Sequence, residues 1–291
     1  MPELPEVETI RRGLEKYTVG HKIEKIDIIH PGIFEGEPDL VEGAEITGVR
    51  RLAKGLIIDL DNSYSLAMHI KLTGQLIYRD KATEKIAVSK EKVGSIPNQF
   101  THIIFELDQN AKLYYNDQRR FGWIRVVPTS QVLEMKFFKT LGPEPLSAFG
   151  VKPEDPDRDL TIEKFRKIAS SSSTKIKPLL MDQEKIGGIG NIYANDALFR
   201  SGIDPRRAAK SLTRVEIDSL YDSIIKVMEK SFEEGGASEL SFVNVLGQEG
   251  GYQRHALVYG KRKEPCVKCG GNIEFFKLAG RGTYFCANCQ K

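Results

Sequence analysis

Apolar residues at Val7, Ile10, Leu14 and Tyr17 recur at the spacing of one helix face, so residues 5–17 predict an amphipathic helix. Pro5 suits its first turn and Gly20 its end. From 22 to 127 the period shortens to two. KIEKIDII, GLIIDL, SYSLAMHI, THIIFEL and KLYYN read as short strands parted by Gly, Asn and Asp. Many short strands with turns predict a sandwich or a barrel. Residues 80–99 are polar and aperiodic and read as a long surface loop. Four prolines within 141–159 read as a linker between domains. Beyond it the helical period returns. Ile162, Phe165, Ile168 and Ala169 form a stripe, and Thr213 with Glu216 makes a capping box ahead of Val215, Leu220, Ile224 and Met228. These predict a long helix over 213–233. Residues 234–254, rich in Gly and Ser, are expected to be mobile, and there is no internal repeat.

Composition adds little until its distribution is considered. The 291-residue chain has a formal net charge of +3 and is 40% hydrophobic, which suits about two domains with ordinary cores. No apolar run approaches the ~20 residues of a membrane span, and the first residues lack the apolar stretch of a secretory signal, so a cytoplasmic address is expected. Residues 254–291 hold eight Lys/Arg against two Asp/Glu, which suits either a solvated tail or a module that meets a polyanion such as DNA. The four cysteines are also confined to this end. Cys266-x2-Cys269 and Cys286-x2-Cys289, sixteen residues apart, predict one tetrahedral zinc. Four thiolates close its coordination shell, so the ion is structural and no organic cofactor is expected. Gly280-Arg281-Gly282-Thr283 between the pairs predicts a hairpin tip.

The chain opens MPELPEVE. Removal of an initiator Met before Pro2 leaves a free secondary amine, and such amines form Schiff bases with carbonyl carbons. A terminal amine has a reference pKa near ~8, against ~10.4 for lysine, so more of it is unprotonated at neutral pH. Glu3 stands beside it as a possible proton shuttle. Alone, these residues fit an ordinary helix start better than a catalytic one.

Four separated motifs change that balance: PELPEVET, RRFG, GGIGNIYANDALF and the terminal CVKCGGNIEFFKLAGRGTYFCANCQ. In this order, over nearly the whole chain, they resemble formamidopyrimidine-DNA glycosylase. The resemblance implies an α+β multidomain fold. An N-terminal β-sandwich with its N-terminal helix (1–135) precedes a linker (136–158), a helical helix–two-turns–helix domain (159–260) and a zinc-ribbon finger (261–291). It implies excision of oxidised purines such as 8-oxoguanine and formamidopyrimidines from damaged double-stranded DNA, followed by β,δ-elimination at the abasic site. It also implies a monomer associated with the nucleoid.

By the same resemblance Pro2 is the nucleophile, Glu3 the proton-transfer acid, and Glu6 a further residue of the DNA site. Lys54, Asn191 and Arg281 match phosphate ligands that together bend the backbone, with Tyr193 a second contact beside Asn191 and His69 a DNA-contacting histidine. Arg119 and Phe121 of NDQRRFGW match the residues that pair with the orphaned base and wedge between base steps. Leu72 stands where the family motif has methionine, a departure that keeps an apolar filler of similar volume. Residues 241–252 resemble the loop that closes over the flipped base, with Gly247, Gly250 and Gly251 as hinges. Two rivals remain open. One is the endonuclease VIII-type sibling class, which prefers oxidised pyrimidines. The other is a zinc-ribbon DNA-binding protein without catalysis, against which intact Pro2, Glu3, Lys54, Asn191 and Arg281 argue.

Overall fold

The computed structural model describes residues 1–151 and 156–291. The chain divides into two compact units, Met1–Lys139 with Glu234–Gln253, and Thr140–Glu233 with Arg254–Lys291.

The first unit opens with helix α1 (Leu4–Thr18), whose Leu4, Val7, Ile10 and Leu14 are buried. Nine strands follow: β1 (Ile23–Ile28), β2 (Phe34–Glu35), β3 (Ile46–Leu52), β4 (Gly55–Leu60), β5 (Tyr64–His69), β6 (Gly74–Arg79), β7 (Thr101–Leu107), β8 (Lys112–Asp117) and β9 (Trp123–Pro128). They form two sheets, ordered β1-β7-β8-β6 and β2-β9-β5-β4-β3. The choice between sandwich and barrel is thereby settled in favour of the sandwich. Leu56, Ile58, Leu66, Met68 and Ile124 of one sheet share a core with Leu76, Ile103, Phe105, Leu113 and Tyr115 of the other, and α1 joins it through Val7, Ile10 and Leu14. Burying such side chains contributes about 1.5–3 kcal/mol each, the force that holds the layers together. A short helix, α2 (Lys136–Lys139), buries Phe138 and closes the first stretch of this unit. Residues 80–99 form turns without helix or strand.

The second unit holds α3 (Ile162–Ser171), α4 (Ile176–Met181), α5 (Asn191–Ser201), α6 (Arg214–Glu233) and the hairpin β10 (Glu274–Leu278) and β11 (Arg281–Phe285). The Thr213 capping box is present: the Thr213 amide donates to Glu216 Oε2 at 2.7 Å, and the Glu216 amide donates back to Thr213 Oγ1 at 3.3 Å. Val215, expected on the apolar stripe of α6, is instead 78% exposed, while Leu220, Ile224 and Met228 are buried. The buried stripe therefore starts at Ile217, two residues after Val215. The expected linker falls partly outside the described residues. Its described part is folded, with Leu146, Ala148 and Phe149 buried and the Phe149 ring edge-on to Phe232 of α6 at 5.4 Å. No helix among the described residues is long and apolar enough to cross a membrane.

Candidate active site and zinc centre

In the first unit, the head of α1 is built as a rigid cap. Pro2, Glu3 and Glu6 are all buried. Glu3 is the N-cap, its own amide donating to Glu6 Oε2 at 2.7 Å, and the Glu6 amide donates back to the Glu3 side chain, which completes a capping box. The other Glu6 oxygen accepts from the Ala237 amide at 2.7 Å. One carboxylate thus ties Glu3 to the segment Glu234–Gln253. Met1 is exposed, and while it remains the Pro2 nitrogen is an amide without nucleophilic character.

Lys54 lies buried in the β3–β4 turn, and that turn is fixed from beneath. Arg51 donates through Nη1 to the Ala53 carbonyl at 3.0 Å and through Nε to Glu8 Oε2 of α1 at 2.9 Å. Burial pushes the Glu8 carboxyl up, but Arg51 and Arg11 outweigh it and hold the group below the usual carboxylate range. His69 ends β5 nearby. Burial, then the charges of Lys71 and Lys54, push its pKa down to about 3, so it is neutral, with Nδ1 accepting from the Lys71 amide at 2.8 Å. Its ring meets Phe137 edge-on at 5.0 Å.

Past β8 the chain projects a cationic and an aromatic side chain together. Phe121 is 54% exposed, and the Arg119 guanidinium lies 4.8 Å from its ring centroid. Asp117, fully buried, organises this loop. Its Oδ1 accepts from the Thr73 hydroxyl and the Arg119 amide, and its Oδ2 accepts from the Gly122 amide at 2.8 Å. A Cβ at Gly122 would come within 1.8 Å of the Tyr115 hydroxyl, so only glycine lets the chain turn back here. Leu72 is half-buried, and its carbonyl accepts from Ser241 Oγ at 3.1 Å.

In the second unit, Asn191 begins α5 and Arg281 begins β11 as an exposed residue past the tight Ala279-Gly280 turn. Asn195, one turn along α5, joins them. Its Nδ2 donates to the Asn191 carbonyl at 2.6 Å, and its Oδ1 accepts from the Tyr284 amide at 2.8 Å. Lys177 of α4, 1% exposed, donates to the Gly282 carbonyl at 2.7 Å and to Thr283 Oγ1 at 2.8 Å. Asp196 accepts three amides, from Leu257, Val258 and Tyr259, at the entry to the ribbon. Sequence reasoning passed over Lys177, Asn195, Asp196 and Asp117. The available signal was a charged or amide residue inside an otherwise apolar run, as in IKPLLM. Tyr193 is a correction. It is fully buried, its hydroxyl bonded to Ser231 Oγ of α6 at 2.5 Å, so it packs α5 on α6 and presents no surface to a phosphate.

The four cysteines gather with their sulfurs within 4.8 Å of one another. Cys266 and Cys289 lie 3.8 Å apart and Cys269 and Cys286 3.5 Å apart, too far for disulfides. A tetrahedron with zinc–sulfur bonds of ~2.3 Å has edges of ~3.8 Å, so the donor set fits one structural zinc.

Comparison with known proteins agrees along the chain. Residues 1–124 match the formamidopyrimidine-DNA glycosylase N-terminal domain, 141–242 its H2TH domain, and 263–291 the zinc finger found in FPG and IleRS. A formamidopyrimidine-DNA glycosylase of Desulfitobacterium hafniense is 37% identical over 295 residues, covering all of both chains. Among solved structures, a Lactococcus lactis Fpg in complex with Fapy-dG containing DNA superposes with a TM-score of 0.83 at 33% identity, covering 99% of this chain and 100% of that one. A complex of the same Lactococcus enzyme with DNA containing an abasic site gives 0.84 at 33% identity, covering 99% of each chain.

Proposed function

The chain belongs to the formamidopyrimidine-DNA glycosylase family, and from that premise we propose that it is a bifunctional glycosylase and abasic-site lyase acting on oxidised purines in duplex DNA. The Pro2 amine, freed of Met1, attacks C1′ of the damaged nucleotide, and the electron pair of the N-glycosidic bond leaves with the base. Opening of the sugar gives a cationic imine on Pro2, which acidifies the C2′ proton, and β- and δ-elimination then cut the strand on both sides. Glu3 moves protons at the sugar; its N-cap position beside Pro2 supports that role. Lys54 in the first unit, and Asn191 with Arg281 in the second, hold phosphates, while His69 lines the DNA face as a neutral ring. Arg119 answers the orphaned base, and Phe121 and Leu72 fill the gap left by the extruded one. Glu6 acts through its hydrogen bonds, holding Glu3 and Ala237.

The zinc would be held by Cys266, Cys269, Cys286 and Cys289 and would fold the ribbon that carries Arg281, with no part in bond breaking. By the boundaries read from the sequence, 1–135 is the catalytic part, 159–260 the helical part and 261–291 the DNA-gripping finger, joined by 136–158; the segment Glu234–Gln253, counted there with the helical part, groups instead with the first unit. The enzyme works as a monomer in the cytoplasm, on the nucleoid.

The end-to-end family match, 37% identity over the whole of both chains, carries this reading. It is tested by parallel assays on duplexes bearing 8-oxoguanine or 5-hydroxycytosine, each against every opposite base, with wild type and Pro2→Gly. Faster release of 8-oxoguanine, lost in Pro2→Gly, is the expected result. Preference for the pyrimidine lesion would favour the endonuclease VIII-type alternative, and a fully active Pro2→Gly would defeat the mechanism.

A further inference from the structure

The turn-rich segment 80–99 and the loop 240–249 lie in the same unit and are laced together. The Ser89 amide donates to the Gly247 carbonyl at 2.8 Å, and Ser89 Oγ donates to Glu249 Oε1 at 2.5 Å. Lys92 Nζ donates to the Leu240 carbonyl at 2.8 Å and lies 3.8 Å from Glu249 Oε2. A single cation thus reaches both ends of the loop; its side chain is 13% exposed, while its partner Glu249 is 37% exposed, so the bond to the Leu240 carbonyl carries more of the tie than the ion pair. Gln75 bridges the two segments from beneath, its Nε2 donating to the Lys92 carbonyl at 3.0 Å and the Ser241 carbonyl at 2.7 Å. Val93 and Val243 are buried in one apolar cluster with Ile77, flanked by Val88 and Ile96.

The other side of the loop rests on fixed structure. The Tyr78 amide at the β6 edge donates to the Val245 carbonyl at 2.7 Å, and Val245 packs where α1 has Gly13, at which a Cβ would lie 2.4 Å from Val245 Cγ2. The loop is therefore clamped between a rigid floor of α1 and β6 and a strap without secondary structure of its own.

We propose that segment 80–99 is a clasp that sets the closed position of loop 240–249, with Lys92 and Ser89 as positioning residues for recognition of the extruded base. The inference rests on the reading that this loop covers that base. Its signature is a split between activities. A loop that covers a base matters only when a base is present, so loosening the clasp slows release of the damaged base and spares cleavage at a preformed abasic site.

The test compares wild type, Lys92→Met and Lys92→Arg in single-turnover release of 8-oxoguanine, in cleavage of a preformed abasic duplex, and in amide hydrogen exchange over 240–249. For Lys92→Met, about tenfold slower base release is expected, the effect of losing one charge-assisted hydrogen bond, with abasic cleavage within twofold and faster exchange in the loop. Lys92→Arg should restore most of the release rate. Equal loss of both activities, or unchanged base release, would overturn the clasp. If wild type is inert on both duplexes the glycosylase reading fails. The exchange arm then decides the clasp alone: faster loop exchange in Lys92→Met supports it and unchanged exchange overturns it.

Discussion

Substituting Asp117 by Asn leaves the shape of the side chain almost unchanged but removes one of the two carboxylate oxygens that organise the Arg119–Phe121 loop. Each oxygen serves a different part of that loop. Oδ1 receives the Thr73 hydroxyl and the Arg119 amide at 3.2 Å, and Oδ2 receives the Gly122 amide at 2.8 Å and the Tyr115 hydroxyl at 3.5 Å. Turned toward Gly122, the NH2 takes that amide's acceptor away in a fully buried site; turned toward Thr73, it replaces the charged acceptor of the Thr73 hydroxyl, while the Arg119 amide keeps Thr73 Oγ1 at 3.0 Å. A hydrogen bond to a charged group contributes about 1.5–3 kcal/mol, and a buried donor left unmatched costs a comparable amount. The second orientation is the cheaper, so the expected loss is about 2 kcal/mol, or ~4–8 °C in Tm for a unit of this size. Thermal unfolding followed by circular dichroism measures it directly. Affinity for a lesion duplex should fall by at least tenfold in the same variant, because Arg119 and Phe121 share the loop. A Tm within about 2 °C of wild type would refute the assignment of Asp117 as the organiser of this loop.

Phe121→Ala removes an exposed ring, so Tm should hold within about 2 °C while base release falls ten- to a hundredfold, the weight of about 1–3 kcal/mol for one aromatic–base stack. Equal loss of stability would show that the ring is structural. Glu8 gives a pH test. Its carboxyl titrates lower when folded than when unfolded, so its contribution is present above the unfolded value near 4.5 and disappears as pH falls through the folded value. Arg51→Met removes its main counter-charge, and the acid-unfolding midpoint should move to higher pH; an unmoved midpoint would show that Arg11 and Arg12 suffice. Metal analysis should find one zinc per chain, and chelation should abolish lesion-duplex binding while the β-sandwich stays folded, read by near-ultraviolet circular dichroism from Trp123.

Local patterns carried much of this structure. GLIIDL and THIIFEL became β4 and β7 residue for residue, and Thr213 caps α6 through the reciprocal bonds that its spacing to Glu216 allows. The order β2-β9-β5-β4-β3 was not legible, because a strand's period says which face is buried and nothing about which neighbour it pairs with. The same limit governs the site. Pro2, Glu3 and the cysteines sit in compact motifs. Lys177 instead acts on a carbonyl 105 positions away, and the tie of Lys92 to Leu240 spans 148. Tyr193 misled for the opposite reason: its place two residues after Asn191 could not reveal that its ring turns inward to Ser231.

On the proposed mechanism the amine of Pro2, and no lysine, becomes covalently bound to the lesion sugar. Borohydride reduction during reaction with an 8-oxoguanine duplex, followed by proteolysis and mass spectrometry, tests it. The expected product is a DNA adduct on an N-terminal peptide that begins at Pro2 and lacks Met1, with no adduct when Met1 is retained. An adduct on Lys54 or another lysine, or trapping undiminished with Met1 in place, would contradict it.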